Sequence, residues 1–461
     1  MPLLSVLSMI SESWCDMKIQ ELSHILQQNG IVGAGGAGFP TYAKLSDKAD
    51  IILMNCAECE PLLKLHRQLL KEYAQEIMKV FALIAETVGA KQAIIGIKEE
   101  YKSTIDAIEA YIDDFPQMSI HMLPGVYPMG DETVLIYEAT GRVVRPGGLP
   151  IECGVAVFNV ETLYNVYRAV WENHPVTDKC VTIVGEVEHP ITVRVPIGMR
   201  IKEVVDMAGQ ITTEDPVYLL GGPMMGGFGS CYQPITKTTN AVIVLPGEHP
   251  LVYRKRIDVS NALRRAASAC CQCQTCTDLC PRHALGHPIQ PHLFMRAAAN
   301  HDIQSIEPFV DTMFCSSCGL CEMYSCPQGL SPRSIMAEYK AGLRKNGIKP
   351  PAKEAKPVKE SREYRKVPER RLIARLGLIP YETEALLDSC IREAQEVRVL
   401  LSQHIGVPAR AVVKNGTNVA CGDVIANAAE GLSVNIHASI TGTITEITDK
   451  YISIRKSLYQ K

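Results

Sequence analysis

Apolar residues recur at helical spacing at Ile19, Leu22, Ile25 and Leu26, and the run stops at Asn29-Gly30, a helix terminator. The pattern then changes period. DIILMN (50–55) reads as a buried strand, residues 62 to 88 as one long amphipathic helix, QAIIGI (92–97) as a second strand, and a helix follows near 100–112. Strands alternating with helices predict an α/β domain, with ligands held beyond the carboxyl ends of the strands, where NCAECEP (55–61) falls. Residues 179 to 246 read as short strands (KCVTIVGEV, TVRVP, PVYLLGG, AVIVLP) around a helical IKEVVDMAG. From about 404 to 456, short alternating strands are punctuated by Asn-Gly, Cys-Gly and Thr-Gly.

With 461 residues, 46% of them hydrophobic, the chain builds several cores, and disorder as its main state is excluded. No stretch approaches the roughly 18 to 20 apolar residues of a membrane span, and the first residues lack the basic start and apolar run of a secretory signal. A cytoplasmic protein is expected, and a net charge of −3 offers no general case for nucleic acid. That average hides a local excess. Residues 340 to 371 carry 12 Lys or Arg against 4 Glu, so a +8 segment offsets a −11 remainder. Rich in Pro and Lys and without apolar periodicity, it reads as a linker or as a docking arm for an acidic partner.

In a reducing compartment the 17 cysteines are to be read for metal before disulfides. Cys270, Cys273, Cys276 and Cys280-Pro281 form one run, and Cys315, Cys318, Cys321 and Cys326-Pro327 a second. C-x2-C-x2-C-x3-C-P is the bacterial iron–sulfur run, in which three close thiolates hold one cubane and the fourth serves the other. One [4Fe-4S] cluster then takes Cys270, Cys273, Cys276 and Cys326, and the other Cys315, Cys318, Cys321 and Cys280. A pair of zinc sites is the competing reading. Two irregularities remain open: four residues separate Cys321 from Cys326, and Cys271 competes with Cys270 as ligand. Leu293, Ala297 and Ala298 suggest a helix between the runs, and His283, His287 and His292 read as surface or capping residues.

GIVGAGGAGFPTYAKL (30–45) contains a literal G-x-G-x-x-G at Gly33, Gly35 and Gly38, but a helix precedes it and Pro40 bars smooth entry into another. The glycines imply a backbone approaching a phosphate or a flat ring, with Lys44 as a point charge, or else a tight packing loop. Glu58 and Glu60 are either functional or solvated acids at a helix start.

GAGGAGFPTYAK, NCAECEP, YPMGDETVL (127–135) and FNVETLYNV (158–166) together resemble the flavin-site segments of the NADH-binding flavoprotein subunit of respiratory complex I. Closer still are its relatives in the Rnf electron-transport complex and the cobalamin reductases of propanediol-utilisation microcompartments. The resemblance implies that Gly33, Ala34, Gly35 and Lys44 line FMN and its phosphate, with Asn55 and Glu58 near the ribityl chain and ring. Gly130, Asp131, Glu132 and Asn159 complete that pocket, and Phe39 and Glu60 lie towards the nicotinamide of NADH. It further implies a Rossmann-like flavin domain over 17–175 and a β-grasp module over 176–248. A helical two-cluster ferredoxin module (255–340), the basic linker (341–371) and a carboxyl-terminal barrel-sandwich hybrid (372–461) follow. In that last module His437-Ala438-Ser439 stands where a carrier would present a modifiable lysine. Implied partners are a corrinoid-handling enzyme of the adenosyltransferase type or another electron acceptor, and a microcompartment shell. Leu3, Leu4, Leu7, Ile10 and Trp14 share a helical face in residues 1–16 that is either a short amphipathic targeting helix or a frayed extension.

Overall fold

The computed structural model describes residues 17–302 and 304–457; the apolar face expected in residues 1–16 lies outside them. Helix α1 (Ile19–Gln28) buries Leu22 and Leu26 as its spacing predicts. Strands β1 (Ile51–Cys56), β2 (Gln92–Lys98), β3 (Met118–Leu123) and, after the two-residue β4 (Val126–Tyr127), β5 (Val155–Asn159) come next. A parallel sheet orders them β3-β2-β1-β5, so the strand order reverses between β1 and β5 and opens a crevice at their carboxyl ends. Side chains alternate between its faces. Ile52, Met54 and Cys56 enter one core, and Ile51 and Leu53 enter another with Val134 and Leu135.

The helix expected over 62–88 is two, α2 (Leu65–Glu72) and α3 (Ala74–Val88), broken at Tyr73 (φ −121°, ψ 40°). The break seats the Tyr73 ring on Tyr164, centroids 4.4 Å apart; such a long-range contact leaves no trace in local periodicity. Tyr164 belongs to α6 (Val160–Trp171), which follows α4 (Lys102–Glu109) and α5 (Glu132–Thr140).

A second, mixed sheet contains β6 (Asp178–Gly185), β7 (Ile191–Pro196), β8 (Pro216–Leu220), β9 (Gly227–Gly229) and β10 (Ala241–Pro246), with α7 (Ile201–Asp206) after β7. It gains an edge strand from far along the chain. Leu387–Ile391 pairs parallel to β7, giving the order β12-β7-β6-β10-β8-β9 once that strand is named β12. Asp178 joins this sheet to the first domain by accepting from Arg168 of α6 at 3.0 and 3.1 Å and from Arg194 of β7 at 2.6 Å.

Helices α8 (Pro250–Lys255) and α9 (Val259–Ala269) lead into a helical module with α10 (Thr275–Asp278), α11 (Pro281–Ala284), α12 (Pro291–Ala299), α13 (Glu307–Val310) and α14 (Pro332–Lys345). Phe294, Phe309 and Tyr339 centre its core, with ring centroids 5.3 to 5.8 Å apart. His287 and His292 are not at the surface. Both are buried, His287 bonded to the Val144 carbonyl at 3.0 Å and His292 to the Thr277 hydroxyl at 2.7 Å.

The basic segment read as a solvated linker or arm is partly tied down. Lys356 and Lys359 donate backbone N–H groups to Gly286 (2.9 Å) and Ala284 (3.0 Å), and Arg362 and Lys366 both meet Glu138. Val367–Pro368 (β11) then pairs with β4, and α15 (Glu369–Arg375) brings Glu369 onto the buried Lys98. Part of the charge that composition assigns to solvent is thus paired with Glu138 of the first domain.

The remaining strands form two small sheets. One has the order β13-β19-β18-β15, from Glu396–Leu400, Tyr451–Lys456, Gly442–Ile447 and Asn418–Val419, and the other joins β14 (Arg410–Ala411), β16 (Val424–Asn427) and β17 (Ile436–His437). His437, Ala438 and Ser439 are buried, the Ser439 hydroxyl donating to the Ile197 carbonyl at 2.5 Å. No helix among the described residues is long and apolar enough to cross a membrane.

Candidate flavin and cluster sites

The glycine loop lies beside the amino terminus of α6. Asn159 caps this helix, its side-chain oxygen accepting from the Glu161 and Thr162 amides, and the Ala34 amide donates to the Thr162 hydroxyl at 2.9 Å. Gly33 donates to the Phe39 carbonyl at 2.9 Å, which closes the loop on itself, and Phe39 is half-buried. A Cβ on Gly35 would stand 2.5 Å from the Asn159 amide nitrogen, so any larger residue there would push the capping side chain aside. The exposed backbone at Gly35, Gly36 and Ala37 faces outward next to the positive end of a 12-residue helix. This cradle fits the phosphate of a flavin mononucleotide.

The other expected pocket residues gather around it. Lys44 donates to the Val157 carbonyl at 2.9 Å and pairs with Glu132 at 3.3 Å. Asn55 donates to the Gly130 carbonyl at 3.0 Å and accepts from the Ala57 amide at 3.1 Å. At Gly130 an added Cβ would meet the Ala57 carbonyl at 2.7 Å. Glu58 accepts from the His66 amide at 2.8 Å, and the His66 ring also stands 3.1 Å from the Asn159 amide nitrogen. Glu60 reaches across to the second sheet. Its carboxylate accepts the Met224 and Met225 amides at 2.8 and 2.9 Å, in the GGPMMGGFG loop of the second sheet, and burial raises its pKa despite those bonds. These bonds fasten the first domain to the second sheet.

The two cysteine runs wrap alike. Gln272 and Ser317, each two residues after the first cysteine, adopt φ of 55° and 61°, and Gln274 and Gly319, two residues further on, 63° and 81°. The wraps align Cys270 with Cys315 and leave Cys271 beside them, exposed. The extra residue in the second run is taken up as a π-helical turn over Cys321–Ser325, which still delivers Cys326 before its proline.

Two separate concavities result. Cys270, Cys271, Cys273, Cys276 and Cys326 line one, and Cys280, Cys315, Cys318 and Cys321 line the other, so the fourth cysteine of each run has crossed over. Burial pushes the Cys276 thiol up to about 12, and Cys326, Cys270 and Cys273 add to the shift; Cys280 is also pushed up to about 12, by burial and by Cys315. Thiols that disfavour each other's ionisation in this way fit the donor set of a cluster whose positive core relieves the repulsion. Donors reach the sulfurs as well: Ser317 N–H to Cys315 and Leu330 N–H to Cys326, at 3.3 and 3.4 Å. Cys56 and Cys59 do not share a site, since they lie in different cores.

The flavin crevice and the second concavity are joined directly. Asp131, which caps α5 next to Gly130, pairs with Arg282 at 2.9 Å, and Arg282 follows Cys280-Pro281. Tyr127 donates its hydroxyl to the Cys318 carbonyl at 2.6 Å. Arg282, His66, Thr162 and Tyr127 are absent from the sequence-derived site. Arg282 alone carried a local signal, as the cation next to a ligand motif.

Four family matches cover this architecture: the Nuo51 FMN-binding domain over residues 26–168, the SLBB domain over 180–227, the 4Fe-4S dicluster domain over 269–331 and the RnfC barrel sandwich hybrid domain over 383–459. Cobalamin reductase PduS of Salmonella typhimurium is 41% identical over 95% of this chain and 97% of its own length. The chain belongs to the PduS cobalamin reductase family. A second member, from Citrobacter freundii, is 40% identical over 94% of this chain and 96% of its own. Among solved structures, the NAD+-reducing [NiFe]-hydrogenase in its H2-reduced state matches 73% of this chain and 64% of that chain, with a TM-score of 0.48 and 22% identity, too distant to bear on the site. Membership makes the chain a mixed α/β, multidomain oxidoreductase with a flavin-binding domain and a dicluster domain.

Proposed function

We propose that the chain oxidises NADH at the glycine-loop crevice and passes the electrons, through two [4Fe-4S] clusters, to a corrinoid. The observation that carries this reading is the Asp131–Arg282 pair, which ties the cap of a pocket helix to the residue after a cluster cysteine. FMN, when bound, supplies the exchange between two-electron uptake from a nicotinamide and one-electron release to a cluster.

The chain's residues do the rest. The Gly35–Ala37 backbone and the α6 terminus bind the phosphate; Lys44 adds charge, and Asn55, Glu58, Gly130, Asp131, Glu132 and Asn159 shape the pocket around the ring. Phe39 stands at the loop's closing bond, towards the nicotinamide side. Cys280, Cys315, Cys318 and Cys321 hold the inner cluster, and Cys270, Cys273, Cys276 and Cys326 the outer one, nearer solvent. Matched wraps support Cys270 rather than Cys271 as ligand. A Rossmann-like flavin domain and a β-grasp SLBB module suit the two larger sheets. The setting that suits this reading is a cytoplasmic microcompartment, with a corrinoid-handling enzyme as the acceptor's host.

Purified anaerobically without membranes, the chain should show flavin absorbance and bound iron and should reduce cob(III)alamin with NADH. A colourless, iron-free protein would overturn the reading. Strict dependence on membrane partners would favour a conduit subunit of an Rnf-like complex, the role that the RnfC-type carboxyl-terminal domain makes the alternative.

A further inference from the structure

The two concavities face different charge. Arg282 and Arg333 line the inner one, whereas Gln272, Gln274, His292 and Met295 stand at the outer one, whose lining has no lysine or arginine. Both arginines carry an Nε atom sealed from solvent with no hydrogen-bond partner among the described residues. Leaving a buried donor unsatisfied is costly, and more so when it is charged. Two around one cavity therefore call for an acceptor inside it. Arg282 is held in place by its other nitrogens, which donate to Thr133 at 2.6 Å and Asp131 at 2.9 Å. A third cation stands close, Lys340, donating to the Cys315 carbonyl at 2.6 Å. Cluster sulfurs are acceptors that gain negative charge on reduction, so N–H donors and cations beside them favour the reduced state.

We propose that Arg282 and Arg333 donate their Nε–H groups to sulfur atoms of the inner cluster and raise its reduction potential, making it the first stop for electrons leaving the flavin. The proposal rests on the cluster assignment given under Proposed function. The step is a one-electron reduction without bond making: the two electrons of an NADH hydride leave the flavin one at a time, and each cluster accepts one. Arg282 and Arg333 act on the inner cluster by direct contact and need not touch the nicotinamide.

The test is a redox titration of the full-length holoprotein followed by electron paramagnetic resonance, in the wild type and in Arg282→Gln, Arg333→Gln and Arg333→Lys. The two signals are assigned by which one disappears in Cys273→Ala. Each glutamine variant should make the inner cluster about tenfold harder to reduce, a fall of about 59 mV for one electron, while the outer midpoint stays put. Arg333→Lys, keeping the charge, should recover part of the fall. An unmoved inner midpoint with iron retained, or equal shifts of both clusters, would overturn the proposal. Where a variant loses its cluster, arginine labelled with 15N in the wild type decides: nitrogen hyperfine coupling to the reduced inner cluster supports the proposal, and its absence refutes it. Absence of both clusters from wild-type protein would instead refute the assignment beneath it.

Discussion

The two cysteine runs share the spacing of their first three cysteines, a pair of left-handed residues and a final Cys-Pro, yet their surroundings differ in almost every respect. Around the Cys280, Cys315, Cys318 and Cys321 set stand Arg282, Arg333 and Lys340, with Tyr127 and Asp131 of the flavin-side domain bonded to its neighbours. Around the other set stand glutamines, His292 and exposed turns. A motif thus specifies which metal centre is held, whereas the residues packed about it decide what that centre does. One set packs against the first domain through Arg282 and Tyr127, and the other is the more exposed of the two.

The largest effects should come from removing one ligand from each set. Cys318→Ala is expected to abolish NADH-driven corrinoid reduction and to remove the inner cluster, leaving flavin bound because the flavin cradle lies in another domain. Cys273→Ala should lose the outer cluster only and keep NADH-dependent bleaching of the flavin. Iron content, flavin absorbance and stopped-flow reduction read the two outcomes apart; loss of flavin in either variant would contradict the separation.

Next is the bond that makes one set inner. Asp131→Asn keeps an oxygen to cap α5 but leaves the Arg282 guanidinium, only 19% exposed, without its counter-ion. A loss of about 2–4 kcal/mol in unfolding free energy is expected, together with slower electron transfer from flavin to the inner cluster. Urea unfolding and single-turnover kinetics measure these. Unchanged transfer would make the pair structural only.

Most of the flavin-side strands and both cysteine runs were legible because their signals are local: period-2 apolar runs, and thiols two residues apart. Contacts between distant segments were not. β12 joins a sheet built some two hundred residues earlier (Leu387 against Thr192), and Glu60 accepts from the Met224 amide of the second sheet. No spacing within a segment encodes either. The +8 segment shows the opposite failure, since composition described its charge correctly but placed in solvent an Arg362 that is buried against Glu138. Within the site, glycine and asparagine positions followed from motif resemblance, whereas His66 and Thr162 act through bonds that only the folded crevice brings together.

A smaller, pH-dependent effect marks the junction that holds the flavin-side domain to the second sheet. Burial pushes the Asp178 carboxyl up, but Arg168 and Arg194 more than reverse this and hold it below its ordinary value. A carboxyl whose folded pKa is depressed contributes stability that is complete above its unfolded value of about 3.9 and fades as pH falls through the folded value. Arg194→Gln should therefore cost about 1–3 kcal/mol at pH 6, and the gap to wild type should narrow below pH ~4. Melting temperatures followed from pH 6 down through the range below pH ~4 decide it; a gap that widens towards acid would have the wrong sign.

The smallest expected effect concerns neighbours in sequence. If the wrap sets ligation, Cys270 and Cys271 are not interchangeable, because Cys270 occupies the place that Cys315 holds in the second run, while Cys271 corresponds to Ser316. Gln272 donates to the Cys270 sulfur at 3.3 Å, and Cys270 sits half-buried at the end of α9, whereas Cys271 is exposed. Cys271→Ser should leave iron content, both midpoints and turnover within error of wild type, since serine already stands at the matching position of the other run. Cys270→Ser should lower the iron content and alter the outer signal alone. Were Cys271→Ser the damaging change, the first run would be wound one residue out of step with the second, and the left-handed turns at Gln272 and Gln274 would have to move with it.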